Sequence, residues 1–304
     1  MEYLLLQVLN GVQLGLLMFL LAAGLTLTLG IMDLVNLAHG SLYMMGAYIA
    51  WTLIGITDSF VLGALLALPA IFLLGVAVEI VVIRKLYARD HLTQVLATFG
   101  LILFFNELVR ALWGPGGKSI AVPDFLNRTI EILPGVPYPA YRFAIIVVGA
   151  LVAILLAWLV ARTRLGMLIR AGASNRRMIG ALGVNIELLF SLVFGLGAVF
   201  AGLAGLMAAP IASVRIGMGD DILILALVII VIGGIGSIKG AFIAAMVVGQ
   251  IDIVGRAFLP DILKTFMSSS AASSAAPAIS QVMVYVLMAA VLVWRPTGLF
   301  GQRT

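Results

Sequence analysis

The fold class this sequence predicts is an all-α polytopic membrane protein, and three observations predict it. Hydrophobic residues make up 63% of the chain and charged residues 10%, with a mean hydropathy of +1.21, far outside the range of soluble domains. The apolar residues fall into runs of about 20, the length that crosses a ~30 Å hydrocarbon core at 1.5 Å rise per residue. The charges collect in a few short interruptions between these runs. Residues 1–304 therefore read as one transmembrane domain.

Taken in order, the apolar runs predict eight or nine spans, at 9–30, 40–56, 61–83, 92–112, 142–161, 188–209, 221–235, 240–258 and 279–294. The opening "MEYLLLQVLNG" has neither the positive n-region nor the small-residue cleavage site of a signal peptide, so the first run is expected to stay as a span. The net charge of +5 comes from Arg and Lys in loops, the pattern that marks the cytoplasmic side of a bilayer and not a nucleic-acid surface. The loop "RKLYARDH" from Arg84, the stretch from Arg162 to Glu187 and the tail "RPTGLFGQRT" are all basic. Parity between them places the C-terminus in the cytoplasm and the N-terminus outside. The segment from Trp113 to Tyr141 holds Pro115, Pro123, Pro134, Pro137 and Pro139 and is predicted to be an external loop without a long helix. The small polar run "SSSAASSAAP" from Ser268 to Pro277 reads as a second external loop with some interfacial helix.

The longest polar interruption is "RTRLGMLIRAGASNRRMIGALGVNIE", residues 162–187, with five arginines and one acid. Gly172, Gly180 and Gly183 divide it, and Ser174 is placed to cap a helix of about two turns with Met178, Ile179 and Leu182 on one side. Such a helix is marginal alone and needs something to dock against. Arg176 and Arg177 fall in its first turn, where the helix dipole disfavours cations, so a partner explains them better than helix stability does.

Two places break the apolar pattern inside the membrane region. "GIMDLVNLAHGSLYMMGAYIA" sets Asp33, Asn36, His39 and Ser41 between two spans, and "IGGIGSIKGAFIA" surrounds Ser237 and Lys239 with Gly233, Gly234, Gly236 and Gly240. Both read Gly-Ser and then Gly-Ala-aromatic-Ile-Ala, consistent with a parallel internal repeat. Irregular backbone at membrane depth is tolerated only where protein or a water-lined cavity surrounds it. Asn36, His39, Ser41, Gly233, Gly234, Gly236 and Ser237 are therefore expected to flank a translocation path, with Asp33 at the cytoplasmic edge. Of the other polar groups in spans, Asn106, Glu107 and Arg110 approach the outer face, Asp252 lies within the eighth span, and Glu79, five residues before Arg84, is assigned to the interface.

Several chemistries are excluded. Zero cysteines and two histidines, His39 and His91, leave no thiolate or clustered metal site and no Cys nucleophile. No metal ligands, catalytic residues or bound cofactor are predicted on this chain. "GPGGKS" fails as a phosphate loop because its first glycine position is Leu112.

At "NLAHGSLYMMGAY", "RAGASNRRMIGALGVN", "VIGGIGSIKGAF" and the closing "RPTGLFG", from Asn10 to Gly301, the chain resembles the smaller membrane permease of bacterial ABC importers for branched-chain amino acids. The resemblance implies an ABC importer permease fold with broken helices, located in the bacterial inner membrane. It also implies a second, homologous permease as heterodimer partner, two cytoplasmic ATPase subunits that bind ATP and Mg, and a periplasmic substrate-binding protein. In that family the stretch matching Arg170 to Asn185 docks on the ATPase, which implies a coupling surface at Arg170, Ala171, Ser174, Asn175, Arg176, Arg177 and Gly183. The chain departs from the family pattern near Arg177, where many members carry an acid. The same branch contains importers of urea, short amides and aromatic acids. A proton- or sodium-coupled transporter built on Asp33, His39 or Asp252 is the competing class.

Overall fold

In the computed structural model, which describes residues 2–133 and 135–301 (for Leu133 and Arg177 the backbone only), the chain is a succession of helices. They are α1 (Glu2–Met32), α2 (His39–Thr57), α3 (Phe60–Val81), α4 (His91–Trp113), α5 (Ala140–Arg162), α6 (Arg164–Ser174), α7 (Arg176–Ala181), α8 (Ile186–Ala208), α9 (Met218–Gly233), α10 (Ile238–Leu263) and α11 (Ser269–Trp294). Short polar residues decide where many of them begin. Ser59, Asp90, Thr163, Asn175, Asn185, Ser237 and Ser268 each accept the backbone N–H three residues on, opening α3, α4, α6, α7, α8, α10 and α11. At Asp90 the Thr93 hydroxyl adds a second bond of 2.6 Å, and together these donors hold the Asp90 carboxyl below its ordinary pKa.

Among the described residues, eight helices are long and apolar enough to cross a membrane: α1, α2, α3 with its 3-10 extension to Leu86, α4, α5, α8, α10 and α11. The expected span at 221–235 is α9, whose 16 residues measure about 24 Å, short of a full hydrocarbon core. Two expectations change. The run 268–277, expected as a loop with some interfacial helix, is helical throughout after its Ser268 cap and opens α11, because its alanines are strong helix formers, and Ala272 and Ala276 are buried. The basic stretch after α5 holds two helices, α6 and α7, where one was expected. The 114–139 segment has no long helix, as expected; it carries a 3-10 turn at Asp124–Leu126 and the antiparallel hairpin β1 (Thr129–Leu133) and β2 (Val136–Pro139), bulged between Glu131 and Leu133.

The chain divides into two compact units. One comprises Met1–Phe19, Val122–Leu151 and Leu227–Thr304; the other comprises Leu20–Ala121 and Val152–Ala226. In the first unit α10 packs on α11, and the Ser280 hydroxyl bonds the carbonyls of Ile251 and Asp252 at 3.1 and 3.0 Å. The hairpin end is tied to α1 where Tyr138 Oη and Arg142 Nη1 donate to Asn10 Oδ1 at 3.1 and 2.9 Å. In the second unit α2, α3 and α8 pack pairwise. Gly46 lies so close to Gly202 that a Cβ there would stand 2.5 Å from the Gly202 carbonyl oxygen. In lipid, where no hydrophobic effect drives helices together, such small-residue contacts gather dispersion energy by letting backbones approach.

Candidate functional site

The first candidate lies in the second unit, between α1 and α2. α1 ends at Met32, and Asp33 follows with a left-handed φ of 51° and its N–H bonded to the Leu29 carbonyl, a helix-terminating conformation. The chain then turns back along α1. The ring of His39 lies against Gly24, eight residues and about 12 Å of helix before Met32. Residues 33–38 are therefore re-entrant, and α2 starts partway along α1. Asn36 shapes the return: its Oδ1 accepts the Ala38 N–H at 3.0 Å, and its carbonyl accepts from His39 N. Leu34, Asn36, Ala38, His39 and Ser41 are buried and Asp33 is exposed.

The start of α2 meets the start of α9. A Cβ on Gly40 would stand 2.9 Å from the Gly219 carbonyl carbon and 3.0 Å from Leu223 Cβ. Asn106 Nδ2 reaches Asp220 Oδ2 in the first turn of α9 at 3.2 Å, seven residues inside the end of α4. α9 is short because it, too, begins partway along its neighbours. Around α2, Asn36 Nδ2, both ring nitrogens of His39, Ser41 Oγ, Thr26 Oγ1 and Tyr48 Oη are buried without a hydrogen-bond partner among the described residues. The Leu21 backbone neighbours the His39 ring without completing a bond of good geometry.

The second candidate, the glycine turn, belongs to the first unit and is described on its own. Gly234 and Gly236 have φ of 98° and 80°, which L side chains rarely adopt. Ser237 caps α10 through Gly240 N at 3.1 Å. The closing "RPTGLFG" lies on this turn: Leu299 N and Phe300 N donate to the carbonyls of Ile232 and Gly233, and a Cβ on Gly234 would stand 2.7 Å from Gly301 Cα. Gly233 and Gly234 are thus buried by the tail and by Gly240, while Gly236 is exposed and Ser237 half-buried. Both sequence motifs open a helix, but Ser237 is a cap whereas Ser41 lies inside the first turn of α2.

The third candidate, residues 162–187, lies in the second unit. Thr163 caps α6, whose Gly166, Ile169 and Gly172 are buried; Arg170 Nη1 bonds the Val160 carbonyl. The cap of α7 is Asn175, one residue beyond the expected Ser174, which closes α6 instead. The expected apolar face is divided: Ile179 is buried, whereas Met178 and Leu182, one turn apart, are 59% and 76% exposed. Ser174, Asn175 and Gly183 are exposed, and Ala171 is half-buried. The side chain of Arg177 lies outside the described residues.

Sequence reasoning missed the group that anchors this segment. Glu79 is fully buried within the protein and gathers a polar cluster around it. Ser191 Oγ donates to its Oε2 at 2.6 Å, Tyr87 Oη to its Oε1 at 2.9 Å, and Arg84 Nη2 and Nε to the two oxygens at 3.0 and 3.3 Å. Burial beside the Glu79 carboxylate pushes the Tyr87 hydroxyl up in pKa. Arg84 Nη1 also bonds Glu187 Oε2 at 3.0 Å, in the first turn of α8. The signal in the sequence was an acid inside an apolar run with an Arg and a Tyr soon after it.

Comparison with known proteins gives a consistent result. The family model described as branched-chain amino acid transport system / permease component matches residues 7–292. The chain is 30% identical to the high-affinity branched-chain amino acid transport system permease protein BraD of Pseudomonas aeruginosa, covering 97% of this chain and 95% of that protein. It is 28% identical to LivH of Escherichia coli K12, a permease of the same description, over 99% and 96% of the two chains. A probable LivH of Methanocaldococcus jannaschii is 26% identical over 94% and 89%. No solved structure matches.

Proposed function

The chain belongs to the branched-chain amino acid transport system permease family, and on that premise we propose that it forms half of the translocation pathway of an ATP-driven importer for branched-chain amino acids. The observation that carries this reading is the family match across residues 7–292, nearly the whole chain, beside eight membrane-length helices among the described residues. The protein is a multi-pass membrane permease. We further propose that residues 1–304 act as one permease domain in the bacterial inner membrane, N-terminus outside and C-terminus cytoplasmic. Its partners would be a second, homologous permease, two ATPase subunits that bind ATP and Mg, and a periplasmic binding protein. No chemistry is assigned to this chain itself.

Two sites follow from that reading. Residues 162–187 would dock on the ATPase through Arg170, Ala171, Ser174, Asn175, Arg176, Arg177 and Gly183. The exposed pair Met178 and Leu182 supports this, because a solvated loop gains nothing from presenting two large apolar side chains on one face. Asn36, His39, Ser41, Gly233, Gly234, Gly236 and Ser237 would flank the substrate path. Asn36, His39 and Ser41 bring together at the start of α2 buried polar atoms (Nδ2, both ring nitrogens and Oγ) that bond none of the described residues. A zwitterionic amino acid needs polar groups without one strong fixed charge, which suits Asn, His and Ser.

The test is leucine uptake into proteoliposomes holding both permeases and both ATPases, with the binding protein and ATP supplied and ion gradients collapsed by ionophores. Uptake is expected. Its loss under those conditions would overturn the ATP-driven reading in favour of an ion-coupled one.

A further inference from the structure

The Glu79 cluster joins two parts of the second unit that the proposed mechanism needs to communicate. On one side, Phe190 packs edge-on to the Tyr87 ring at 5.0 Å between centroids, and the Arg176 guanidinium of α7 stands over the Phe190 ring at 5.8 Å. On the other side, Tyr87 Oη lies 3.6 Å from Met32 Sδ, immediately before the left-handed Asp33 that begins the re-entrant segment. The single phenolic proton goes to Glu79, the shorter and charged acceptor, so Glu79 sets where the Tyr87 ring stands. Ser191 and Arg84 fix the carboxylate from α8 and from the turn after α3, and Arg84 extends the cluster to Glu187.

A carboxylate this fully buried carries a desolvation cost, and apolar replacement of such a network is often neutral or stabilising; the geometry that a satisfied buried network specifies is a reason to keep it. We propose that Glu79 is a positioning residue of the transport cycle: it holds Tyr87 between α7 and Met32, so that displacement of α7 by the ATPase is passed to the re-entrant segment at Asp33. The proposal rests on the reading that residues 162–187 meet the ATPase. In a low-dielectric site these charge-assisted bonds make a stiff link, whereas the exposed pair on α7 supplies only the contact.

The experiment uses the complete reconstituted transporter, with leucine uptake and ATP hydrolysis measured on the same vesicles. Glu79→Gln keeps the volume and removes the charge; Tyr87→Phe removes one hydroxyl and keeps the ring on Phe190. Both variants are expected to assemble and to hydrolyse ATP. Uptake per ATP should fall about tenfold in Glu79→Gln, within the range of site-to-site couplings, and less in Tyr87→Phe. The double variant should be no worse than Glu79→Gln, because both act through one link. An unchanged ratio of uptake to ATP hydrolysis in both single variants overturns the proposal, as does a loss that merely tracks the amount of assembled complex. If Glu79→Gln does not assemble, Tyr87→Phe decides alone. Met178→Glu with Leu182→Glu separates this from the docking reading. Loss of ATPase co-purification there, with an unchanged ratio in Glu79→Gln, keeps docking and removes the link. Retained co-purification and hydrolysis removes both.

Discussion

His39 and Gly24 are fitted to each other: a methyl group on Gly24 would stand 2.8 Å from His39 Nε2 and 2.5 Å from the Gly197 carbonyl oxygen. The absent side chain at position 24 is what lets the re-entrant segment return along α1 and lets α8 close on it. Both neighbours are confined, the ring by its burial and the carbonyl by the α8 backbone, so neither has room to give way.

Gly24→Ala is therefore expected to destabilise the second unit by ~1–3 kcal/mol, as over-packed cores do. Gly55 is the control. It lies in α2 with nothing within 4 Å of a built Cβ, so Gly55→Ala should be neutral or stabilise by ~0.5–1 kcal/mol. Thermal unfolding of the two variants in the same detergent checks the contrast; equal shifts would mean that the space at Gly24 is not structural.

Topology is open to direct labelling because the chain contains no cysteine. Ser119 and Ser174 are both exposed and are separated by one crossing helix, α5. Single cysteines there should react with an impermeant reagent from opposite sides, with Ser174 cytoplasmic. A cysteine at Glu2, four crossings before Ser119, should label with Ser119 from outside. Phe300→Cys tests α9: reaction on the Ser174 side means that the 16-residue helix completes a crossing, and reaction on the Ser119 side means that it does not.

What the sequence could and could not show follows from the distance over which each signal acts. Helix starts were legible to within two residues where an apolar run begins sharply: the spans expected from 61 and 188 open at Phe60 and Ile186. The cap of α7 was misplaced by one residue because Ser174 and Asn175 are both competent, and only the packing of α6 decides between them. Asn36 and His39 announced an irregular stretch. That the stretch is re-entrant depends on Gly24, Gly197 and Gly219, glycines that read as ordinary helix residues until the chain is folded. The cluster around Glu79 was not legible because its partner Ser191 is 112 residues away. The glycine turn was visible, but not the tail at Thr297–Gly301 that rests on it.

The arginines of α7 give a third prediction. They stand in the first turn, against the helix dipole, and Arg176 lies over the face of Phe190. Reversing Arg176 and Arg177 to Glu should leave membrane insertion intact, since Arg84, Lys85 and Arg89 remain as a basic loop of the kind that sets orientation. Transport-linked ATP hydrolysis should fall about tenfold, a loss of ~1.4 kcal/mol in coupling. A reversed variant that assembles and transports normally would reduce these arginines to topology signals.

The polar start of α2 gives the last. If Asn36 and His39 flank the path, each acts on a substrate that passes and does not stay, while the binding protein supplies selectivity. Asn36→Ala and His39→Ala should then slow leucine uptake by about tenfold, ~1.4 kcal/mol on the barrier, and leave the ratio of leucine to valine uptake nearly unchanged. Asn36→Ala also removes the acceptor for Ala38 N, and His39→Ala leaves a cavity beside Gly24, so the slowing of each contains a folding contribution. The two variants are for that reason read together with their melting temperatures. A slowed His39→Ala of wild-type stability supports a path role, and a His39→Ala that is destabilised but transports at the normal rate per folded complex assigns the ring to packing against Gly24. His39→Gln separates the ion-coupled alternative, because a proton-carrying histidine would make uptake depend on the proton gradient and its replacement would abolish that dependence. Uptake by His39→Gln driven by ATP alone, with the gradient collapsed, is the expected outcome.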